Sequence, residues 1–380
     1  MRGKGEFTNM GNLEEHNRLC REMELLDIKK VLDKNFPFRE LDQKTILITG
    51  ASGLIGQAII KFLIEYAEQN LLKIKIIGLC RSKEKAKAIL GRYLNRPNLK
   101  MLYQDIVNPL LIEESIDYII HGASITSSGS FVKYPVETIN TTMEGTKNIL
   151  ELSKTKNVSG IVYLSSLEVY GVVGKQNQEI QEQDYGFLDP LNVRSSYSEG
   201  KRMAECFCIS YGREYEIPVK IARLGQTFGC GVNYDDTRVF AEFARCIAEE
   251  KDIILHTEGK TIRNYCYTMD AVTAILFILL YGKSQNAYNV ANRDSEISIY
   301  EMAKQMIAVS ESKIQIRIEL GDTSIFGYNP MARTVLNTGK LERLGWEPLF
   351  PFQKMLENLI RYMQVEYERK NSGVDEHLQW

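Results

Sequence analysis

The stretch Thr45–Gly56, TILITGASGLIG, decides the fold. Its first four residues, Thr45 to Ile48, are apolar or β-branched and read as a short buried strand. Gly50, Gly53 and Gly56 follow at three-residue spacing, and Gln57 to Glu68 carries a helical apolar pattern. A dinucleotide pyrophosphate needs that order of strand, glycine turn and helix. Gly50 permits a tight turn, Gly53 lets the backbone approach the phosphates, and Gly56 lets the helix pack on the strand. Ser52, Leu54 and Ile55 belong to the same turn, where the helix N-terminus presents free N–H groups and a positive dipole end. Glycines also serve plain strand-to-helix turns; the flanking strand and helix make this one a cofactor site.

Outward from this turn, strand and helix patterns alternate. Lys73–Leu79, Leu99–Tyr103, Ile116–His121, Gly160–Leu164 and Val219–Ala222 read as strands. Lys83–Leu90, Pro135–Ser153 and Ser196–Tyr215 read as helices. Such alternation predicts an α/β fold, a Rossmann-type doubly wound parallel sheet with helices on both faces. Beyond Arg223 helices over 238–249, 270–281, 299–309 and 352–368 are separated by short strand-like pieces, which predicts a smaller C-terminal α/β substrate lobe. The expected division is 1–43 as leader and helical extension, 44–225 as dinucleotide-binding domain with segments near 264–291 returning to it, and 226–380 as mainly substrate lobe. Met1 to Asn9 reads as an expression leader with Met10 as a native start, and Leu13–Lys34 as a helix packed on the cofactor domain or on a partner subunit.

Composition narrows the function classes. In 380 residues, 44% hydrophobic and 25% charged content is that of a globular protein, and a net charge of −2 gives no global pull toward nucleic acid or anionic membrane. The seven cysteines, Cys20, Cys80, Cys206, Cys208, Cys230, Cys246 and Cys266, are scattered without a C-x-x-C pair, and the four histidines do not cluster. Free thiols, no metal site and a reducing, cytoplasmic setting are the expectation. The longest apolar run, Ala271 to Tyr281, is too short for a bilayer and reads as a buried helix.

Two further segments carry chemistry. In SSYSEGKRMAE, Tyr197 and Lys201 lie four apart on what reads as a long helix, so phenol and ammonium share one face. A free tyrosine, with pKa about 10, is a poor base at neutral pH, and a fixed cation nearby favours the phenolate; lowering the pKa by roughly three units corresponds to about 4 kcal/mol. In VYLSSLEVYG, a strand runs into Ser165-Ser166-Leu167-Glu168. Hydroxyls just past the carboxyl end of a parallel strand are placed to hydrogen-bond a substrate oxygen, with Glu168 as a second acid/base group.

Glycine turn, Ser-x-Glu-x-Tyr-Gly and Tyr-x-x-x-Lys, in this order and spacing, resemble the extended short-chain dehydrogenase/reductase family (NAD-dependent epimerase/dehydratase). Within it, residues 44 to about 310 are similar to the nucleotide-sugar enzymes, above all UDP-glucuronate decarboxylases and 4,6-dehydratases. HGASITSSGSFVKYPVETINTTMEGT, RSSYSEGKRMAE, DDTRVFAEF and RNYCYTMDAV carry the resemblance. It implies Tyr197 as the base at the sugar 4-hydroxyl, Lys201 on the ribose hydroxyls, Ser166 as the catalytic Ser/Thr and Glu168 as the carboxylate of the decarboxylases and dehydratases. It implies Asp105 and Ile106 beside the adenine, and Ala123 and Ser124 near the inner ribose and phosphates. Thr126, Gln226, Arg238, Arg263 and Arg333 are implied on the substrate side, the arginines on the nucleotide diphosphate. A homodimer through the helices near 135–153 and 196–215 is also implied.

The chain departs from the family pattern at Leu167, where a polar residue is usual, at Gln226, which replaces an Asn, and in GYNPMARTVL, which lacks a Pro-Asp motif. At the end of the second strand, GLCRS puts Cys80 and Arg81 where an NAD site usually has an acid for the ribose 2′-hydroxyl. An Arg there can take the 2′-phosphate of NADP or stack on adenine with NAD, so NAD and NADP both stay open. Three functions compete: a nucleotide-sugar decarboxylase or 4,6-dehydratase with an internally recycled cofactor, an NADPH-dependent reductase or epimerase of a nucleotide-linked keto sugar, and a non-catalytic cofactor-binding regulator.

Overall fold

A computed structural model describes residues 3–174, 178–320 and 333–371, with side chains from residue 15 onward. Seven parallel strands form its main sheet: β1 (Thr45–Thr49), β2 (Lys75–Cys80), β3 (Leu99–Tyr103), β4 (Tyr118–His121), β5 (Gly160–Ser166), β6 (Val219–Leu224) and the edge strand Asn286–Val290. In space they run edge strand, β6, β5, β4, β1, β2, β3, so the order reverses beside β1 and opens a crevice at the carboxyl edge.

The strands are near-continuous apolar runs because both faces are covered. Ile46 and Ile48 face one core layer with Ile76, Ile120 and Val162, against the helices Leu54–Asn70 and Thr268–Tyr281. Leu47 faces the other with Ile77, Ile119, Ile161 and Val219, against the helices Pro135–Lys156 and Ser195–Glu214. The helix Thr268–Tyr281 is buried along almost its whole length, which explains its all-round apolar sequence. Among the described residues no helix is long and apolar enough to cross a membrane.

β5 and β6 run two residues beyond the expected ends. Ser165 pairs with Arg223 and Ser166 with Leu224 across the ladder. The expected strands stop short of the polar Ser165 and Arg223, but both find a buried partner in Glu205 of the helix Ser195–Glu214. The small lobe holds three short sheets: Gln226–Phe228 beside Tyr265–Tyr267, Ile262–Arg263 between Ile297–Ser298 and Arg333–Thr334, and Ile253–Leu255 beside Ile316–Ile318.

The N-terminal helix runs from Gly3 to Leu32, longer than expected, and packs within the chain against the C-terminal helix Phe352–Asn371. The segment read as a leader falls in this helix from Gly3 on, and its side chains lie outside the described residues. Further along, Asp27 accepts from Tyr267 Oη at 2.5 Å and from Asn358 Nδ2 at 3.1 Å. Lys61 of the helix Leu54–Asn70 pairs with Glu24 at 2.7 Å. Burial pushes the Asp27 carboxyl up to about 6.

Candidate active site

The carboxyl edge of the sheet opens into a cleft of about 530 Å³ bordered by the small lobe. Its floor is the glycine turn. Gly50 has φ +72°, and a Cβ there would stand 2.8 Å from the carbonyl carbon of Gly122. A Cβ on Gly56 would stand 2.2 Å from the Gly50 oxygen. Both contacts are with backbone, which cannot swing away. Gly53 precedes the helix Leu54–Asn70, whose first N–H groups have no side-chain cap. Gly50, Ser52, Gly53, Leu54, Ile55 and Gly56 all line the cleft. A close backbone approach and uncapped N–H groups fit a dinucleotide pyrophosphate.

The loop after β4 is tied to β1: Thr49 Oγ1 accepts from the N–H groups of Gly122 and Ala123, both at 3.2 Å. It also meets His121 Nδ1 at 2.7 Å; burial lowers that imidazole to about 3, so it is neutral. Ala123, Ser124 and Thr126 follow along the wall. At the far end stand Asp105, Ile106 and Arg81. The exposed Arg81 guanidinium lies 3.9 Å from Asp105 and 3.8 Å from Glu137.

At the other end, the terminus of β5 makes three contacts on three successive residues. Leu164 O accepts from Lys201 Nζ at 2.7 Å. Ser165 Oγ donates to Glu205 at 2.5 Å, and Ser166 Oγ accepts from the Glu168 N–H at 3.2 Å. Glu205 is itself held by Arg223, Nη2 to Oε2 at 2.6 Å and Nε to Oε1 at 2.9 Å. Arg223, 1% exposed, continues to Tyr170 Oη, Tyr185 Oη and Glu182 O. This network anchors the strand end that carries the catalytic candidates, and nothing in the local pattern pointed to it.

Tyr197 departs from the expectation of a lowered pKa. Burial pushes its phenol up to about 12, against the Ser166 hydroxyl and the Arg238 and Arg194 charges, which pull it down, while Glu168 raises it. Its ring stacks on Phe131 with centroids 4.3 Å apart, another contact the sequence reading missed. Burial also lowers Lys201 to about 8, opposed by the Glu205 charge. Its Nζ sits 5.9 Å from the Tyr197 ring centroid and 4.6 Å from that of Tyr163.

Glu168 lines the cleft, but it is not an unengaged carboxylate. Arg194 grips both of its oxygens, Nη1 to Oε2 at 3.1 Å and Nη2 to Oε1 at 3.3 Å. Gln226 and Arg238 reach the cleft; Arg238 is bonded to Asp236 at 2.6 Å. Arg263 and Arg333 are not brought into it. Arg333 makes a fork on Glu296 at 2.7 and 2.8 Å, and the half-buried Arg263 sits on the adjoining short strand with no hydrogen-bond partner for its Nε. Much of GYNPMARTVL, residues 327–332, lies outside the described residues. Among the described residues no group of three or more His, Cys, Asp or Glu could hold a metal.

A parallel sheet of this order, a glycine turn under the cleft and a Ser–Tyr–Lys set at the end of β5 define a dinucleotide-dependent enzyme of the Rossmann class. Residues 46–291 match the sequence model of the NAD dependent epimerase/dehydratase family, and the chain belongs to that family. UDP-glucuronic acid decarboxylase 5 of Arabidopsis thaliana is 32% identical over 80% of this chain and 84% of its own length. UDP-glucuronic acid decarboxylase 1 of Danio rerio is 29% identical over 96% of this chain and 87% of its own. The dTDP-glucose 4,6-dehydratase of Bacillus anthracis, solved in complex with NAD, superposes with a TM-score of 0.71 at 22% identity, covering 84% of this chain and 96% of that one.

Proposed function

We propose that the protein oxidises a nucleotide-linked hexuronate at C4 and releases carbon dioxide from C5, as a UDP-glucuronate decarboxylase does. The observation that carries this reading is the convergence of Ser166, Tyr197 and Lys201 on the cleft whose floor is the glycine turn. The two decarboxylase relatives, each matched over more than four-fifths of its length, support the substrate class.

A bound NAD would supply the hydride acceptor at C4 and return the hydride after decarboxylation. Tyr197 takes the proton of the 4-hydroxyl, and Ser166 hydrogen-bonds the same oxygen. Ionising a phenol held near 12 at neutral pH costs on the order of 7 kcal/mol. Tyr197 therefore becomes a base only in the loaded cleft, with the Lys201 ammonium beside it. The 4-keto hexuronate is a β-keto acid. When its C5–carboxylate bond breaks, the electron pair passes to the 4-oxygen, where the Tyr197 and Ser166 hydroxyls hold it.

NAD is favoured over NADP, because Asp105 and Glu137 partner Arg81 and would repel a 2′-phosphate. A homodimer is favoured by the exposed apolar residues Val136, Ile139 and Met203 on the two adjacent helices Pro135–Lys156 and Ser195–Glu214. The free thiols, most of them buried, suit a cytoplasmic setting.

Incubation with UDP-glucuronate tests the activity. Carbon dioxide and a pentose nucleotide are expected with no added reductant, whereas a requirement for stoichiometric NADPH would overturn the reading. Light scattering of the intact protein tests the dimer, and a monomeric mass refutes it.

A further inference from the structure

We propose that Arg194 is a positioning residue that keeps Glu168 a paired, weakly basic carboxylate and so lets the 4-keto intermediate lose carbon dioxide without Glu168 removing its C5 proton. The proposal rests on C4 oxidation as the first step.

Both Glu168 oxygens are engaged by the Arg194 fork, and Ser198 Oγ adds a third donor, to Oε2, at 3.4 Å. The pair is largely removed from water, with side chains 16% and 10% exposed for Arg194 and Glu168. A charge-assisted fork stabilises the ionised carboxylate and weakens it as a base. Arg194 is fixed in turn: its N–H donates to Asn192 Oδ1 at 3.0 Å, and it immediately precedes the helix that carries Tyr197 and Lys201.

Oxidation at C4 makes the C5 proton acidic, and a carboxylate base beside C5 would remove it in competition with the loss of carbon dioxide. Besides Glu168, the other carboxylate among the described cleft residues is Asp105, just after β3. β3 is four strand positions from β5, roughly 19 Å at the usual spacing. Loss of carbon dioxide asks for no such base: the C–C bond breaks, the electron pair goes to the 4-oxygen, and C5 later takes a proton from water. The clamp thus suppresses proton removal at C5 and leaves the loss of carbon dioxide intact.

The experiment is partial turnover of UDP-glucuronate by the wild type, Arg194→Gln and Arg194→Lys in deuterium oxide. Carbon dioxide, residual nucleotide sugar and deuterium at C5 of that residual sugar are measured. Wild type should release carbon dioxide and return unlabelled UDP-glucuronate. Arg194→Gln frees Glu168 to remove the C5 proton of the 4-keto species reversibly. Its recovered substrate should be labelled at C5 roughly tenfold or more above wild type, because losing the partner raises a carboxylate's pKa by about one to three units. Arg194→Lys, which keeps the charge without the fork, should fall between, and adding Glu168→Gln to Arg194→Gln should abolish the label. Wild-type substrate labelled as fast as the variant's overturns the proposal, as does a folded, carbon dioxide-releasing variant with no label. No carbon dioxide from wild type refutes the decarboxylase reading itself, and the proposal with it.

Discussion

The two ends of the cleft are built on opposite plans. The cofactor end is made of backbone and of absent side chains: uncapped helix N–H groups and glycines whose Cβ atoms would strike carbonyls. The chemical end is made of side chains recruited from distant parts of the chain, with Arg194 on Glu168, Glu205 on Ser165, Arg223 on Glu205 and Phe131 on Tyr197. A backbone site tolerates change around it and fails when a methyl group is added. A side-chain site fails by degrees, according to which partner is removed.

Adding the methyl group gives the largest expected effect. Gly56→Ala places a Cβ 2.2 Å from the Gly50 oxygen, so the turn must open; loss of measurable NAD binding in a fluorescence titration is expected. Unchanged affinity would break the contrast between the ends. Next, Tyr197→Phe keeps the ring against Phe131 and removes the proton carrier. Decarboxylation should fall roughly 10²- to 10⁴-fold, with NAD affinity within about threefold, and normal turnover would refute the assigned base.

Glu205→Leu leaves the buried Arg223 guanidinium without its countercharge, which costs about 3–5 kcal/mol. A drop in Tm on the order of 10 °C by calorimetry is expected; a shift of a degree or two would mean the network does not anchor the strand. A smaller effect is set by pH. Lys201 is charged below about 8 and neutral above it, so its charge and one of its three donors to a ribose are lost as pH rises through that value. NAD affinity should weaken by several-fold between pH 7 and 9, and should be flat in Lys201→Met. The smallest effect is at the exposed end: Arg81→Ala should change NAD affinity by less than about threefold, with NADP binding weaker than NAD in both proteins. Strong NADP binding that Arg81→Ala removes would reverse the cofactor assignment.

The legibility of the chain follows the same division. TILITGASGLIG, the alternation of strands and helices, and Tyr197 with Lys201 were readable because each is a local pattern whose residues act within a turn or two. The ends of β5 and β6 were not, since Ser165 and Arg223 look like loop residues until Glu205 reaches them from another element. The arginines separate in the same way: Arg238 reaches the cleft, whereas Arg333 is turned onto Glu296.

By itself the sequence determined the sheet, the glycine turn and the placement of Tyr197 and Lys201 on one helix face. Periodicity and steric need operate over neighbouring residues, so a linear pattern records them. Only the tertiary structure decided the state of those groups: Tyr197 raised by burial, Lys201 lowered by it, and Glu168 clamped by Arg194. Charge and desolvation are summed over everything that packs around a side chain, and that neighbourhood comes into being only when the chain has folded.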